Sequence, residues 1–449
     1  MKAPSQVDLI LYNCKVYTKT GFLEAGIAIE NGKIVKIAKY PNLPKATRKI
    51  DLKRLIALPG LIDVHVHLRD QELAYKETFY TGTAAAAAGG ITFVIDMPNN
   101  QPVTMSAEAL KERVKLAEKQ VLVNTAFYSA FPEKLEDMVN IVEAGAIAFK
   151  LFLNQKIGGI NIEDDREILK AFEMAKNLKT LVSVHAEDRK IIEERIQSFK
   201  NQQNLEAYLK AHDVEAEVKA VKKVLALSEK SKASIHFCHL SSKESLEIIS
   251  KAKKANMDVT CEVTPHHLLL TSQNFKTEGS LLLTDPPVRE KDHSIALLEA
   301  LKNGIIDILA SDHAPHKLEE KMVGNVWEVK PGIPGLETML PLVLTYVNKG
   351  IFSFHDVVRF LAENPARRFG LDDRGILEEG KIADITVIDI NKEDVVDSSR
   401  FYSKARFSPF EGWKVKGKPV KTFVCGNLVM DDGEVVAKAG TGQVFLRKY

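Results

Sequence analysis

Apolar strand-like runs that alternate with helix-like ones predict an α/β protein: a closed (β/α)8, TIM-like barrel with a small composite β-sandwich domain built from both termini. Three observations carry this expectation. Eight candidate strands separated by helical patterns span roughly 250 residues, the usual size of such a barrel. Both ends of the chain instead show short alternating runs around Asn-Gly, Gly-Asn and Asp-Gly turns. No GxGxxG or Walker lysine motif supports the competing open sheet that binds nucleotides. The expected division is 1–57 with 377–449 as the composite β-domain and 58–376 as the barrel.

In order along the chain, the alternating runs at 8–18 and 21–39 come first, with Asn31 and Gly32 as a hairpin turn and nothing helical. Barrel strands are expected at 61–68, 92–97, 121–128, 146–153, 180–185, 234–239, 258–263 and 306–311, each a short apolar run. Helices are expected at 78–88, 107–119, 135–143, 164–178, 214–228, 243–254, 294–303 and 336–348, where apolar residues recur every three or four positions. Alternation resumes at 384–389, 418–429 and 433–437, so the two ends are assigned to one β-domain.

Composition narrows the function classes. The 449 residues are 45% hydrophobic and 27% charged, an ordinary globular balance. With 62 basic and 60 acidic residues the net charge is +2, which gives no reason to expect nucleic acid or an anionic membrane as partner. No apolar run is long enough to span a bilayer and the Met-Lys-Ala-Pro start lacks a secretory core, so a soluble, cytoplasmic protein is expected. Cys14, Cys238, Cys261 and Cys425 are scattered without a CxxC pair, as four reduced thiols would be.

In such a barrel, functional groups gather where the strands finish. The first strand carries His65, His67 and Arg69 at alternate positions, which share one face of a strand. They read either as a divalent-metal clamp or as two satisfied core histidines and a strand-end arginine. The second strand leads into Met97, Pro98 and Asn99, the fourth carries Lys150, the fifth closes on His185, the sixth on His239, and the eighth runs into Ser311, Asp312 and His313. That four of the 12 histidines meet an aspartate at these ends favours a metal site over separate core histidines. Lys150 reads either as a snorkelling lysine or as one modified by carbon dioxide to a carbamate that bridges two cations. One residue leaves both readings open.

The motifs HVHLR at 65–69, DMPN at 96–99, FKLFLN at 149–154, VHAE at 184–187 and CHLSS at 238–242 occur in sequence. EVTPHHL at 262–268, SDHAPH at 311–316, GIPGLETMLPL at 332–342, NPARRFG at 364–370 and SPFEGW at 408–413 follow. With these motifs the chain resembles the dihydroorotases of the cyclic amidohydrolase group nearly end to end. HxHxR together with SDHAPH and GIPGLET is specific to that group, whereas HxH alone indicates only the wider amidohydrolase superfamily.

The resemblance implies a zinc-dependent hydrolase with two zinc ions per chain. His65, His67 and Asp312 would hold one ion, His185 and His239 the other, and carboxylated Lys150 would bridge them. Water shared by two such ions loses its proton near neutral pH, and Asp312 would serve as ligand and as general acid and base. Arg69, Asn99 and His316 match the positions that grip a substrate carboxylate. Without the resemblance, Asn99 reads as a turn residue after Pro98 and His316 as a surface-loop histidine. His266 and His267 match positions that are not metal ligands, and His212, His236, His293 and His355 are left structural as well. The implied reaction is the reversible interconversion of N-carbamoyl-L-aspartate and (S)-dihydroorotate in de novo pyrimidine biosynthesis. Some relatives associate with aspartate carbamoyltransferase, so that partner and a homo-oligomer join the small-molecule substrate among the implied associations.

Two features depart from the group. Asp70, Gln71 and Glu72 stand where many relatives continue Glu-Pro-Gly, and Asp285 stands where Asn is common at a substrate contact, so an acid there must be turned away or protonated. The stretch 155–159, with Gly158 and Gly159, is expected to form a mobile lid. The alternatives are a dihydropyrimidinase, hydantoinase or allantoinase on the same scaffold, whose substrates mostly lack the carboxylate, and a non-catalytic scaffold subunit, which would typically have lost metal ligands.

Overall fold

The computed structural model describes residues 6–448. Eight parallel strands form one sheet in chain order: Leu61–Val66, Ile91–Asp96, Asn124–Ala130, Ala148–Phe152, Leu181–His185, Ile235–Phe237, Val259–Val263 and Ile308–Leu309. A parallel bridge between Val66 and His313 joins the last strand's exit to the first strand, and His67 N–H donates to His313 O at 2.8 Å. The sheet thus curls into the expected barrel. Its strands are buried on both faces, which is why they read as continuous apolar runs rather than alternating ones.

Several strands stop earlier than the sequence predicts, for reasons that place the site. The first ends at Val66, because Arg69 and Asp70 take left-handed backbone conformations. Arg69 is therefore not a third residue on a strand face, as the alternation implied. The sixth ends at Phe237, ahead of His239 with its φ of +33°. The eighth is reduced to Ile308–Leu309, because Asp63 takes the N–H of Ser311 in place of a neighbouring strand.

Each predicted helix is present within a few residues; besides several helices of four or five residues, there are two longer additions. Between the fifth and sixth strands the helices Arg189–Phe199 and Leu205–Ala211 precede Val214–Ser231. Each addition has a side-chain cap, Asp188 accepting from Ile191 N–H and Asn204 from Ala207 N–H. After the barrel, Phe354–Val358 and Asn364–Arg368 flank a π-helical turn at Arg359–Glu363. Pro365 has no N–H to donate to the turn before it, which accounts for the widening.

Both termini build a second, nine-stranded sheet. Ile56–Pro59 is its seam, pairing in parallel with Gln6–Thr18 and antiparallel with Ile385–Val395. Leu9, Leu11, Val16 and Ile27 from one end share a core with Ile385, Val387 and Phe423 from the other. Residues 1–5 and 449 of the predicted β-domain lie outside the described residues. No helix among the described residues is long and apolar enough to cross a membrane.

Candidate active site

The barrel's first strand delivers His65 and, one residue beyond its end, His67. His65 Nδ1 donates to Glu262 Oε1, and His67 Nδ1 lies 2.6 Å from Asn99 Oδ1. Burial pushes Glu262 up, but His65 and His236 outweigh it and hold its carboxyl well below the usual range, so it accepts as a carboxylate. With both Nδ1–H groups directed to these oxygens, each ring turns a bare Nε2 inward. Both Nε2 atoms lie 3.2 Å from the same oxygen, Asp312 Oδ1. Burial lowers both imidazoles and leaves them neutral. The three side chains thus converge, with one potential ligand atom from each within 4.8 Å of the others. That donor set suits a cation.

His185, at the end of the fifth strand, donates from Nε2 to Glu187 Oε2 at 2.7 Å, which leaves Nδ1 for another partner. The ring of His239 lies 4.5 Å from that of His185 and 5.2 Å from that of His65. His239 and Asp312 both have positive φ, +33° and +47°, an uncommon conformation for such residues and one found at functional sites. Burial pushes the carboxyl of Asp312 up.

Lys150 projects from the fourth strand and is fully buried. Its ammonium donates to Cys238 Sγ at 2.9 Å and makes no ion pair among the described residues. An unpaired ammonium away from water is expensive.

A second group of polar side chains, around Arg69 and His316, lies beside this cluster. Lys76 Nζ donates to His316 Nδ1 at 3.0 Å, so the proton of that neutral ring sits on Nε2, which donates to Pro331 O at 2.9 Å. Arg69 Nη2 approaches the same Nε2 at 3.3 Å, where donor meets donor. Arg69 Nε has no partner, and burial pushes the guanidinium down to about 10. The guanidinium is therefore buried without an acceptor among the described residues.

His65, His67, Arg69, Asn99, Lys150, His185, His239 and Asp312 line one cavity of about 70 Å³, with Phe152, Asn154, Gln155, Asp285, Ala314, Pro331 and Gly332 completing the wall. Every predicted site residue except His316 reaches it, and His316 stands behind, against Arg69 and Pro331. Asp285 also lines the cavity, but one of its oxygens accepts from Tyr208 OH and lies 3.6 Å from His212 Nδ1, and burial pushes its carboxyl up. One oxygen of the acid is thus turned toward Tyr208 and His212.

Glu262, Glu187 and Asp63 were missed as supporting residues. Their signal was an acid inside or next to an apolar strand, as Glu262 is in Val259–Val263. His267 stays structural, bonding Thr264 Oγ1 at 2.7 Å and Pro286 O at 3.0 Å.

The sequence model of a family described as the amidohydrolase family matches residues 56–429. A dihydroorotase of Methanothermobacter thermautotrophicus is 40% identical over 435 residues, 96% of each chain. A dihydroorotase of Pyrococcus horikoshii is 40% identical over 441 residues, covering 97% of this chain and 94% of its own. An L-hydantoinase of Paenarthrobacter aurescens is 34% identical over 450 residues, 98% of each. Among solved structures, the L-hydantoinase (dihydropyrimidinase) from Arthrobacter aurescens superposes with a TM-score of 0.94 at 34% identity, over 98% of this chain and 100% of its own.

Proposed function

The chain belongs to the amidohydrolase family and is a cyclic amide hydrolase, and from that premise we propose that it interconverts (S)-dihydroorotate and N-carbamoyl-L-aspartate in cytoplasmic pyrimidine biosynthesis. The observation that carries this reading is Arg69. A guanidinium buried in the cavity wall with no acceptor is complementary to a carboxylate, which it can hold through two parallel bonds. Dihydroorotate carries such a carboxylate next to its ring amide, whereas dihydrouracil and hydantoin do not. Asn99 and His316 support the same end of the ligand, Asn99 from the cavity wall and His316 from behind Arg69.

The donors fit a metal centre. In this proposal His65, His67 and Asp312 would hold one zinc, His185 and His239 a second, and Lys150, once carboxylated, would be a ligand to both; imidazole and carboxylate donors suit that ion. Loss of a proton from the Lys150 ammonium and addition of carbon dioxide to the amine, with a second proton released, would replace a buried cation that has no ion pair among the described residues with an anion that bound cations would stabilise. When bound, the ions supply an acidified water and polarise the ring carbonyl. Asp312, its carboxyl pushed up by burial, takes the proton of the attacking water and returns it to the departing ring nitrogen. Glu262 and Asn99 hold the histidine tautomers that leave Nε2 free, and Glu187 does the converse for His185.

The L-hydantoinase relative favours a second reading, a hydantoinase or dihydropyrimidinase on the same framework. Turnover of dihydroorotate measured beside dihydrouracil, hydantoin and allantoin separates the two. Dihydroorotate is expected to be the preferred substrate, and activity confined to the other three would overturn the proposal. The implied homo-oligomer and the association with aspartate carbamoyltransferase remain part of the proposal and are open to sizing and co-purification.

A further inference from the structure

Lys321 closes the short helix Leu318–Lys321 and is wholly buried, although burial of a charge is costly. No carboxylate pairs with it among the described residues. Its Nζ donates instead to three backbone carbonyls, Leu283 O at 2.8 Å, Gly332 O at 2.9 Å and Lys330 O at 3.1 Å. An ammonium has three donors, and all three are used.

These carbonyls belong to two separate loops that face the cavity. Leu283 lies two residues before Asp285, and Lys330 and Gly332 flank Pro331; Asp285, Pro331 and Gly332 are all cavity wall. The loops also meet directly where Gly332 N–H donates to Leu283 O at 2.9 Å. From the other side, Pro331 O accepts from His316, the histidine behind Arg69. The wall beside the proposed carboxylate grip is thus fastened to the wall carrying Asp285 through one ammonium.

We infer that Lys321 is a positioning residue for substrate binding: its ammonium draws the Leu283 and Lys330–Gly332 carbonyls together and so sets the width of the cavity between Asp285 and the Pro331–Gly332 wall. Leu283 O would retain Gly332 N–H if the ammonium were lost, but Gly332 O and Lys330 O have no other hydrogen-bond donor among the described residues. An aliphatic side chain of equal length would fill the same space without holding them. The inference rests on the reading above only for the identity of the cavity as the substrate site.

Lys321→Met removes the three donors and keeps the length, and it is to be assayed on whichever cyclic amide the unmodified protein turns over fastest. The expected result is a KM raised about tenfold or more with kcat changed less than about threefold, the pattern of lost binding rather than lost chemistry. Metal per chain should be unchanged, because Lys321 touches none of the proposed ligands. Lys321→Gln, which keeps two N–H donors, should fall between the two. A folded Lys321→Met protein with unaltered KM, or one that loses kcat and metal while KM stays put, would overturn the inference. Should Lys321→Met fail to fold, Lys321→Gln decides by the same KM criterion. Failure to turn over dihydroorotate counts against the proposed substrate alone, since the Lys321 comparison then runs on hydantoin or dihydrouracil.

Discussion

An ammonium buried against a thiol and the Phe152 ring, as at Lys150, is costly to keep from water, and addition of carbon dioxide to the amine, with its protons released, would replace it by a carbamate. Its position beside three converging acceptors gives that reaction a use, because a carbamate offers oxygens where the amine offered none. Lys150→Ala is expected to lower both bound metal and rate by orders of magnitude, read by elemental analysis and by steady-state turnover. Near-normal activity with full metal content would refute the bridge. At this scale the ligand types were legible, since a histidine at a strand end carries its chemistry wherever the strand goes. Tautomers were not, because the proton of His316 sits on Nε2 only through Lys76 and Pro331, both distant in sequence. Arg69 was expected to grip a carboxylate only through the family resemblance, and its missing acceptor could not be read from the chain.

Among the elements, the segment after the fourth strand departs furthest from its expected character. Two adjacent glycines suggested a hinge for a lid at 155–159, and the structure gives them a packing task instead. Gly159 N–H donates to Phe131 O at 2.8 Å, and a Cβ on Gly159 would lie 2.2 Å from Glu133 N and 2.3 Å from Glu133 Cα. Gly158 has a φ of +99°, a region that favours glycine. The far end of the segment is thus pinned against the exit of the third strand, while Gln155 reaches the cavity. Gly159→Ala should destabilise the protein by about 1–3 kcal/mol, the usual cost of overpacking against backbone that must shift. Chemical denaturation at fixed pH checks this, and a change under about 0.5 kcal/mol, as at an unconstrained surface site, would restore the hinge reading.

Across the whole molecule, the barrel and the terminal β-sheet are joined through buried polar contacts as well as apolar ones. Asp384, just ahead of the strand Ile385–Val395, accepts from Arg374 Nε at 3.0 Å, from Asn124 Nδ2 on the third barrel strand at 3.0 Å, and from Cys425 N–H at 2.7 Å. Its backbone O accepts from Gly60 N–H, at the entrance to the first barrel strand that bears His65. Asp384→Ala leaves the buried Arg374 with its exposed neighbour Asp373 as the one carboxylate partner among the described residues and strips Asn124 of that acceptor. A loss of about 3–5 kcal/mol is expected, the cost of breaking a buried pair from one side. Thermal unfolding followed together with turnover checks it, and a near-neutral variant would show that the junction relies on apolar packing alone.

By itself the sequence determined the barrel, the joining of the two ends and the kinds of group at the strand exits, because periodicity, turn residues and ligand chemistry are local properties. Tertiary structure alone decided that Arg69 leaves the strand, that Asp285 is partly turned to Tyr208 and His212, that Glu262 orients His65, and that Lys321 fastens two loops. Except for the backbone turn at Arg69, each of these rests on contacts outside the local sequence, from 9 to 197 residues apart, which short-range patterns do not encode.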